Sequence, residues 1–532
     1  MDKKYFITLL LIAFFGFLLR AFFPGKILVE NDAVLYTEIV KIVHGINPFP
    51  HFTFKWTPVF LSGYYGWFLS DLRASIYFIL PFLKVQFYFT VLLGVALVFS
   101  TYRLAMRLYG DNNVAILSSF IISIIPIHVS MSYGLSAEIP QTFLLLESFN
   151  FLIDFINKQK LRDFFISGVL FAFSIQSKML SILLMPSICF LVFINKKLIN
   201  GSILKFLMLY FILPFIIWLS WAIPNFYRIF GNYAHSLSSF ILNIGSESMK
   251  ISLIDSHLEF LSVGGIYLFA FSLLCLLGLH KKQDIFILFS IAIPLLVLHF
   301  LKDAMTYWLP FIVPFYSIAM ARAFFGIRVR FIKAMLLVIF IYFVGICLRT
   351  NIINLHFDFN SQAGFYMRPS TRWMMFPLVQ CQVNLDTVKE LRKIIDEDDV
   401  VFLSHTFESY KGFLMDIDTK SLPVYRNIKQ GTFEYKRDWV REVSKIINDA
   451  FSDKSRRALL VLQDGGYYYR VHDKGVWLET HQDQLLEAAG FKKIYEKTYP
   501  DKETIDKSRR YYKHSSAQSQ WAKNYIFVKE YK

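Results

Sequence analysis

YFITLLLIAFFGFLLRAFFPGKILVENDAVLY, from Tyr5 to Tyr36, changes character partway. Its first part, to Phe23, is apolar apart from Thr8 and Arg20. As a helix it is long enough to cross a ~30 Å hydrocarbon core. Lys3 and Lys4 precede it. It lacks a small-residue cleavage site and is too long for a signal-peptide core, so it reads as a retained first membrane helix. Two carboxylates, Glu30 and Asp32, follow where that helix ends. They can cap the next helix, or they can do chemistry at the membrane surface.

The rest of the chain has the same first character for a long way. Of 532 residues 55% are hydrophobic, a fraction soluble proteins approach, so the distribution decides. Up to about Cys347, apolar blocks of roughly 17–25 residues recur, each able to span a bilayer. They lie near Tyr5–Phe23, Phe82–Thr101, Ala115–Ser130, Ile139–Ile156, Phe164–Ser177, Leu180–Ile194, Leu204–Ile223, Phe260–Leu279, Ile285–Phe300, Trp308–Ala321 and Phe331–Leu348. This predicts a polytopic α-helical membrane domain of about 11 transmembrane helices. The Phe164–Ile194 region reads either as two short spans or as a re-entrant pair, split at Ser177–Lys178. After Arg349 the blocks stop and charge becomes dense. The expected domains are therefore 1–350 in the membrane and 351–532 soluble.

The formal charge of +16 raises the question of nucleic acid. The basic residues instead concentrate in alternate loops: Lys3 and Lys4; Arg103 and Arg107; Lys158, Lys160 and Arg162; Lys196, Lys197 and Lys205; Lys281 and Lys282; Arg322, Arg328, Arg330 and Lys333. That is the cytoplasmic pattern of a multi-pass protein in a cell (plasma) membrane, so no nucleic-acid partner is expected. An odd number of spans puts the N-terminus inside and the C-terminal domain on the extracytoplasmic side, together with Glu30 and Asp32. The four cysteines, Cys189, Cys275, Cys347 and Cys381, show neither a disulfide framework nor a metal spacing.

The first external loop runs from about Pro24 to Leu80. Leu35, Ile39, Ile42 and Val43 recur with helical spacing, and Gly45 stops the helix. INPFPHFTFKWTP (Ile46–Pro58) is an aromatic, proline-punctuated turn, and VFLSGYYGWFL (Val59–Leu69) continues it. Amphipathic helices lying in the interface are expected here, with Trp and Tyr at headgroup depth. A second loop, Pro224–Glu259, has similar character. Beyond Arg349, VNLDTVKELRKII and HQDQLLEAAG read as helices. DDVVFLSH, RRALLVLQD, FKKIYEKTY and NYIFVKEY read as strands of a small α/β domain without phosphate-loop or zinc spacing.

Outside the cell there is no ATP and no nucleotide sugar. An enzyme facing that side must draw activated groups from lipids, and a sugar on a polyprenyl phosphate supplies one with a good leaving group already in the bilayer. Transfer to a hydroxyl needs a carboxylate to accept the proton, cations to stabilise the departing phosphate and an apolar groove for the tail. Ionisable residues at membrane depth are the first candidates. On the external side these are Glu30, Asp32, His51, Lys55, Glu138, Lys178 and Lys302.

Five segments, in order, resemble one family. They are ENDAVLYTEIVKIVHGINPF, FKWTPVFLSGYYG, YGLSAEIPQTFLLLESFNFLI, SIQSKMLSILLMPSICFLV and LKDAMTYWLPFIVPFYSIAMA. The arrangement is similar to the GT-C glycosyltransferases, which use polyprenyl-phosphate sugars. Within them it is closest to the protein O-mannosyltransferase and lipid A aminoarabinose transferase branch. The resemblance implies a polyprenyl- or dolichyl-phosphate sugar donor, membrane lipids as surroundings, and a protein, lipid or glycan acceptor, as in protein glycosylation and cell-envelope synthesis. It implies Asp32 as the catalytic carboxylate, acting as base or through a divalent metal. Glu138 would be a second acid near the acceptor, with Lys55, Lys178, Lys302 and Tyr307 facing the donor phosphate; Glu30 and His51 are additional candidates. No cofactor is required by the residues themselves. The family's paired prolines are Thr57-Pro58 here, and its arginine before the tyrosine is Thr306.

Each candidate also has a plain structural reading. Asp32 suits the N-cap of a helix starting at Ala33. Glu138 suits a helix N-terminus. Lys55 can extend to headgroups, Lys302 can mark a span end, and Glu30 and His51 can be loop residues. Lys178, between two apolar blocks, is the hardest to explain as packing. Three further functions compete with single-sugar transfer: an oligosaccharide-transferring or polymerising enzyme, a lipid-linked sugar flippase, and a C-terminal recognition module on a membrane anchor.

Overall fold

The computed structural model describes residues 2–21, 30–46, 66–132, 134–194, 203–226, 272, 281–299, 310–327 and 329–355 of the N-terminal part. Of the C-terminal part it describes 384–403, 407, 410–414, 416–417, 419–421, 441, 444–449, 457–465, 486–499 and 522–530. For residues 30–34 this extends to the backbone alone.

The chain forms two compact units. One comprises residues 1–26 and 41–356; the other comprises 27–40 and 357–532. In the first, α1 (Lys3–Ala21) is followed by α3 (Trp67–Ile79), α4 (Leu83–Tyr109), α5 (Asn112–Ile124), α6 (Pro126–Met131), α7 (Glu138–Lys158) and α8 (Leu161–Ser177). A 3-10 turn, Met179–Leu184, leads into α9 (Met185–Ile194), then α10 (Ile203–Leu207), a π turn (Met208–Ile212) and α11 (Leu213–Ala222). Helices Lys282–His299, Val313–Gly326 and Arg330–Leu355 complete the unit. Five stretches are long and apolar enough to cross a membrane among the described residues: Lys3–Ala21, Leu83–Tyr109, Glu138–Lys158, Lys205–Ala222 and Arg330–Arg349. The expected span Ala115–Ser130 is two helices, broken at Ile125-Pro126, because proline supplies no amide to continue the ladder. The expected span Phe260–Leu279 lies, apart from Ser272, outside the described residues.

The apolar outer faces are those of a lipid-bathed bundle. Phe6, Leu10, Leu11 and Phe14 on α1 are exposed, as are Phe331, Val338 and Ile341. Inside, Phe149 of α7 meets Phe286 and Phe315 edge-on, with ring centroids 5.3 and 5.6 Å apart. Arg20, the one charge in the first apolar run, turns inward. Its guanidinium donates to the carbonyls of Gly16 (2.8 Å) and Ser123 (3.1 Å) and to Ser132 Oγ (3.2 Å). It thereby joins α1 to the region around α5 and α6.

At the C-terminal end of α7 the basic loop residues are paired. Arg103 Nη1 lies 2.6 Å from Glu147, and Arg107 donates through Nε to Asp154 (2.9 Å) and through Nη1 to Asn150 (2.9 Å). Lys158 reaches the same Asp154 at 3.1 Å, and Arg322 lies 3.3 Å from the buried Asp284. Several charges that read as loop markers in the sequence therefore belong to ion pairs between helices. Arg107→Ala should lower stability by about 3 kcal/mol, because a largely buried carboxylate loses its main partner. It should leave transfer per folded molecule unchanged, since Asp154 is about 24 Å along the helix from Glu138. Thermal unfolding in detergent, beside an activity assay, checks both.

In the second unit a five-stranded sheet has the order β2-β1-β3-β5-β4, with β1 Val400–Leu403, β2 Thr419–Ser421, β3 Arg457–Gly465, β4 Lys492–Tyr499 and β5 Ala522–Glu530. β1 runs parallel to β2 and β3, and β5 antiparallel to β3 and β4. The four expected strands are present, and β2 is one the sequence reading lacks. The helix expected at VNLDTVKELRKII spans 384–394. After Leu486 the chain turns at Gly490, whose φ of +89° lies where only glycine is unstrained.

This unit also contains most of α2 (Glu30–Val43). Leu35 to Val40 are buried on every side, where the apolar period alone predicts one wet face. The helix stops as expected at Gly45, at φ +70°, with the Ile46 amide closing onto the Lys41 carbonyl at 2.8 Å.

Candidate functional site

Glu138 is the first residue of α7. A carboxylate in the first turn is favoured by the helix dipole, and Pro140 is tolerated there because early amides have no helical acceptor. Lys178 follows the last residue of α8 in extended conformation (φ −163°, ψ 126°), between that helix and the 3-10 turn. The structure brings the two together: Lys178 Nζ forms a salt bridge with Glu138 Oε1. Both side chains are largely buried, at 11% and 6% exposure, so the charges rely on each other rather than on water.

The break that presents Lys178 is tied down. Gln141, one turn into α7, donates to the Lys178 carbonyl at 3.1 Å and to Ser181 Oγ at 3.0 Å. The Lys178 amide still reaches the Ser174 carbonyl at 3.0 Å, ending α8. Gly66, at the entry to α3, lies directly against this end. A Cβ there would sit 2.0 Å from the Gln176 carbonyl oxygen. Trp67 then donates to Ser220 Oγ at 2.9 Å, and Phe68 stacks on Phe173 with centroids 4.0 Å apart. The starts of α3 and α7 and the end of α8 are thus fixed around the ion pair.

Arg73 is a residue the sequence reading missed. It is fully buried on α3 and donates to Thr90 Oγ1 (2.9 Å), the Gln86 carbonyl (3.3 Å) and the Ser136 carbonyl (3.3 Å), two residues before Glu138. Its signal was an arginine inside the aromatic run Trp67–Phe78, the same kind of mark that singled out Lys178.

Glu30 and Asp32 lie in the first turn of α2. The helix begins at Glu30, not Ala33, so Asp32 is its third residue and the N-cap reading does not hold. Their side chains are outside the described residues, and so are His51, Lys55, Lys302 and Tyr307. Among the described residues no three His, Cys, Asp or Glu side chains gather where they could hold a metal ion. Glu138, the one described carboxylate candidate, is engaged with an ammonium.

Residues 83–221, which carry Glu138 and Lys178, match the family model described as dolichyl-phosphate-mannose-protein mannosyltransferase. No curated protein matches in sequence. Solved structures share the architecture. The oligosaccharyltransferase AglB from Archaeoglobus fulgidus, in complex with an inhibitory peptide and a dolichol-phosphate, is 10% identical, with a TM-score of 0.56 over 98% of this chain and 88% of its own. ArnT from Cupriavidus metallidurans, bound to undecaprenyl phosphate, is 11% identical, with a TM-score of 0.52 over 87% of this chain and 93% of its own. Residues 83–221 thus match a mannosyltransferase family model, and the chain shares the GT-C fold of these membrane enzymes over most of its length.

Proposed function

We propose that the enzyme transfers one sugar from a polyprenyl-phosphate donor to an acceptor hydroxyl on the extracytoplasmic side. The buried Glu138–Lys178 pair carries the reading: it lies inside the matched segment and supplies a cation and a carboxylate in one water-poor place. The acceptor oxygen attacks the anomeric carbon, and its proton passes to Asp32. The bond to the phosphate oxygen breaks, and the phosphate leaves with the electron pair. A single displacement inverts the anomeric configuration. Lys178, with Lys55, Lys302 and Tyr307, would take up the charge growing on the leaving phosphate, where a cation in a low-dielectric site counts for most. Glu138 would keep Lys178 aimed and would stand near the acceptor.

A second reading, transfer of an oligosaccharide, draws on the higher coverage of the archaeal oligosaccharyltransferase. One experiment separates them. The purified full chain in lipid nanodiscs is given polyprenyl-phosphate mannose, glucose and aminoarabinose and a polyprenyl-diphosphate oligosaccharide, with a mixed peptide, lipid and glycan acceptor pool. Mass spectrometry reads which donor is consumed. Consumption of a monophosphate sugar is expected. Consumption of the diphosphate alone would move the enzyme to the second reading, and consumption of none would overturn both.

A further inference from the structure

We propose that the C-terminal unit acts on catalysis by holding the helix that carries Asp32, with Thr37 and Gly412 as the positioning residues. The inference rests on the assignment of Asp32 as the proposed base.

Residues 27–40 group with 357–532 rather than with the helices that flank them in sequence. The contact is specific. The amide of Gly412 donates to Thr37 Oγ1 at 2.8 Å in a buried setting. The two backbones also touch: a Cβ on Gly412 would lie 2.5 Å from Thr37 Cα and 3.0 Å from its amide nitrogen. Beside them the Tyr36 ring packs on Phe413, with centroids 4.6 Å apart. Only a residue without a side chain permits this approach.

The turn that offers Gly412 is itself rigid. Lys411–Leu414 is a 3-10 turn. Tyr410, just before it, and Leu414, its last residue, are buried in one apolar cluster with Val401 and Leu403 of β1 and Leu459 and Val461 of β3. Arg392 donates through Nε to the Phe413 carbonyl at 2.8 Å and pairs through Nη2 with Asp416 at 2.5 Å. The sheet is thus connected through a fixed turn to Thr37, and through continuous helix to Asp32, about 7.5 Å further along the axis. A helix start without such a hold frays, and a base displaced by about 1 Å costs on the order of a hundredfold in rate.

Thr37→Val removes the acceptor at constant shape, Thr37→Ser keeps it, and Gly412→Ala forces the backbones apart. Each full-length variant in nanodiscs is measured in two ways: by hydrogen exchange over residues 30–43, and by turnover of whichever donor of the panel above is consumed. Thr37→Val and Gly412→Ala should speed exchange in α2 about tenfold, with β1 and β3 unchanged. They should lower kcat about tenfold or more at unchanged donor KM, and Thr37→Ser should follow the wild type. Unchanged exchange in both variants overturns the proposal; so does faster exchange at unchanged kcat, or a Thr37→Ser variant that behaves like Thr37→Val. Asp32→Asn is run beside them. If it keeps full transfer, the assignment of Asp32 fails, while the exchange data still decide whether the C-terminal unit holds the helix.

Discussion

Lys178→Met is expected to lose sugar transfer by about 10²–10³-fold and to destabilise the protein at the same time. The two losses have different origins. The first is a cation removed from the place where leaving-group charge develops. The second is Glu138 left buried without its ammonium, a defect worth about 3–5 kcal/mol when one partner of a buried pair is removed. Glu138→Gln alone should destabilise by a similar mechanism, because the largely buried Lys178 loses its carboxylate. The double variant Glu138→Gln/Lys178→Met separates the effects, because neutralising both partners of a buried pair is often neutral for folding. It should regain most of the thermal stability and none of the transfer. If it regained transfer too, the pair would be a structural pin and Lys178 would have no part in the chemistry. If Lys178→Met kept wild-type turnover, the phosphate role would fall outright.

Much of this architecture is legible in the sequence, for a physical reason. A membrane helix must close its own backbone hydrogen bonds and face lipid, so apolar run length reports it directly. The break at Ser177–Lys178 was visible because a lysine between two apolar blocks costs too much to be incidental. Strand Ala522–Glu530 is legible through its β-branched and aromatic residues, and Arg457–Gly465 through a short apolar run bounded by charges and glycine. The pairings were not visible. Composition marks Arg103 and Arg107 as loop charges but says nothing of Glu147 and Asp154, which meet them from another helix. Periodicity gives α2 one apolar face, whereas the partner of Thr37 lies 375 residues away in the chain. Strand β2, three residues long, is too short to carry a pattern. Arg73 is not legible because its run has the composition of an interfacial helix, where a charged end has ready access to water.

Asp32→Asn should leave folding intact and lower transfer by about 10²–10⁴-fold, the range for removing a positioned general base. Three observations bear on the assignment. Asp32 lies in the first turn of the helix that comes next in the chain after the first membrane span. Its helix starts too early for a capping role. And the C-terminal unit grips that helix at Thr37 through a hydrogen bond and a backbone contact that only glycine allows. Asparagine keeps the shape and hydrogen-bonding capacity of the side chain while removing its ability to take a proton, so a folded and inactive variant has a narrow meaning. The flippase reading predicts something different, since moving a lipid-linked sugar needs no proton acceptor at Asp32. The most direct measurement is the release of free polyprenyl phosphate from the consumed monophosphate donor. It is followed by mass spectrometry for wild type and Asp32→Asn side by side at matched thermal stability. Release by the wild type and its loss in the variant is the predicted result; equal release by the two would contradict it.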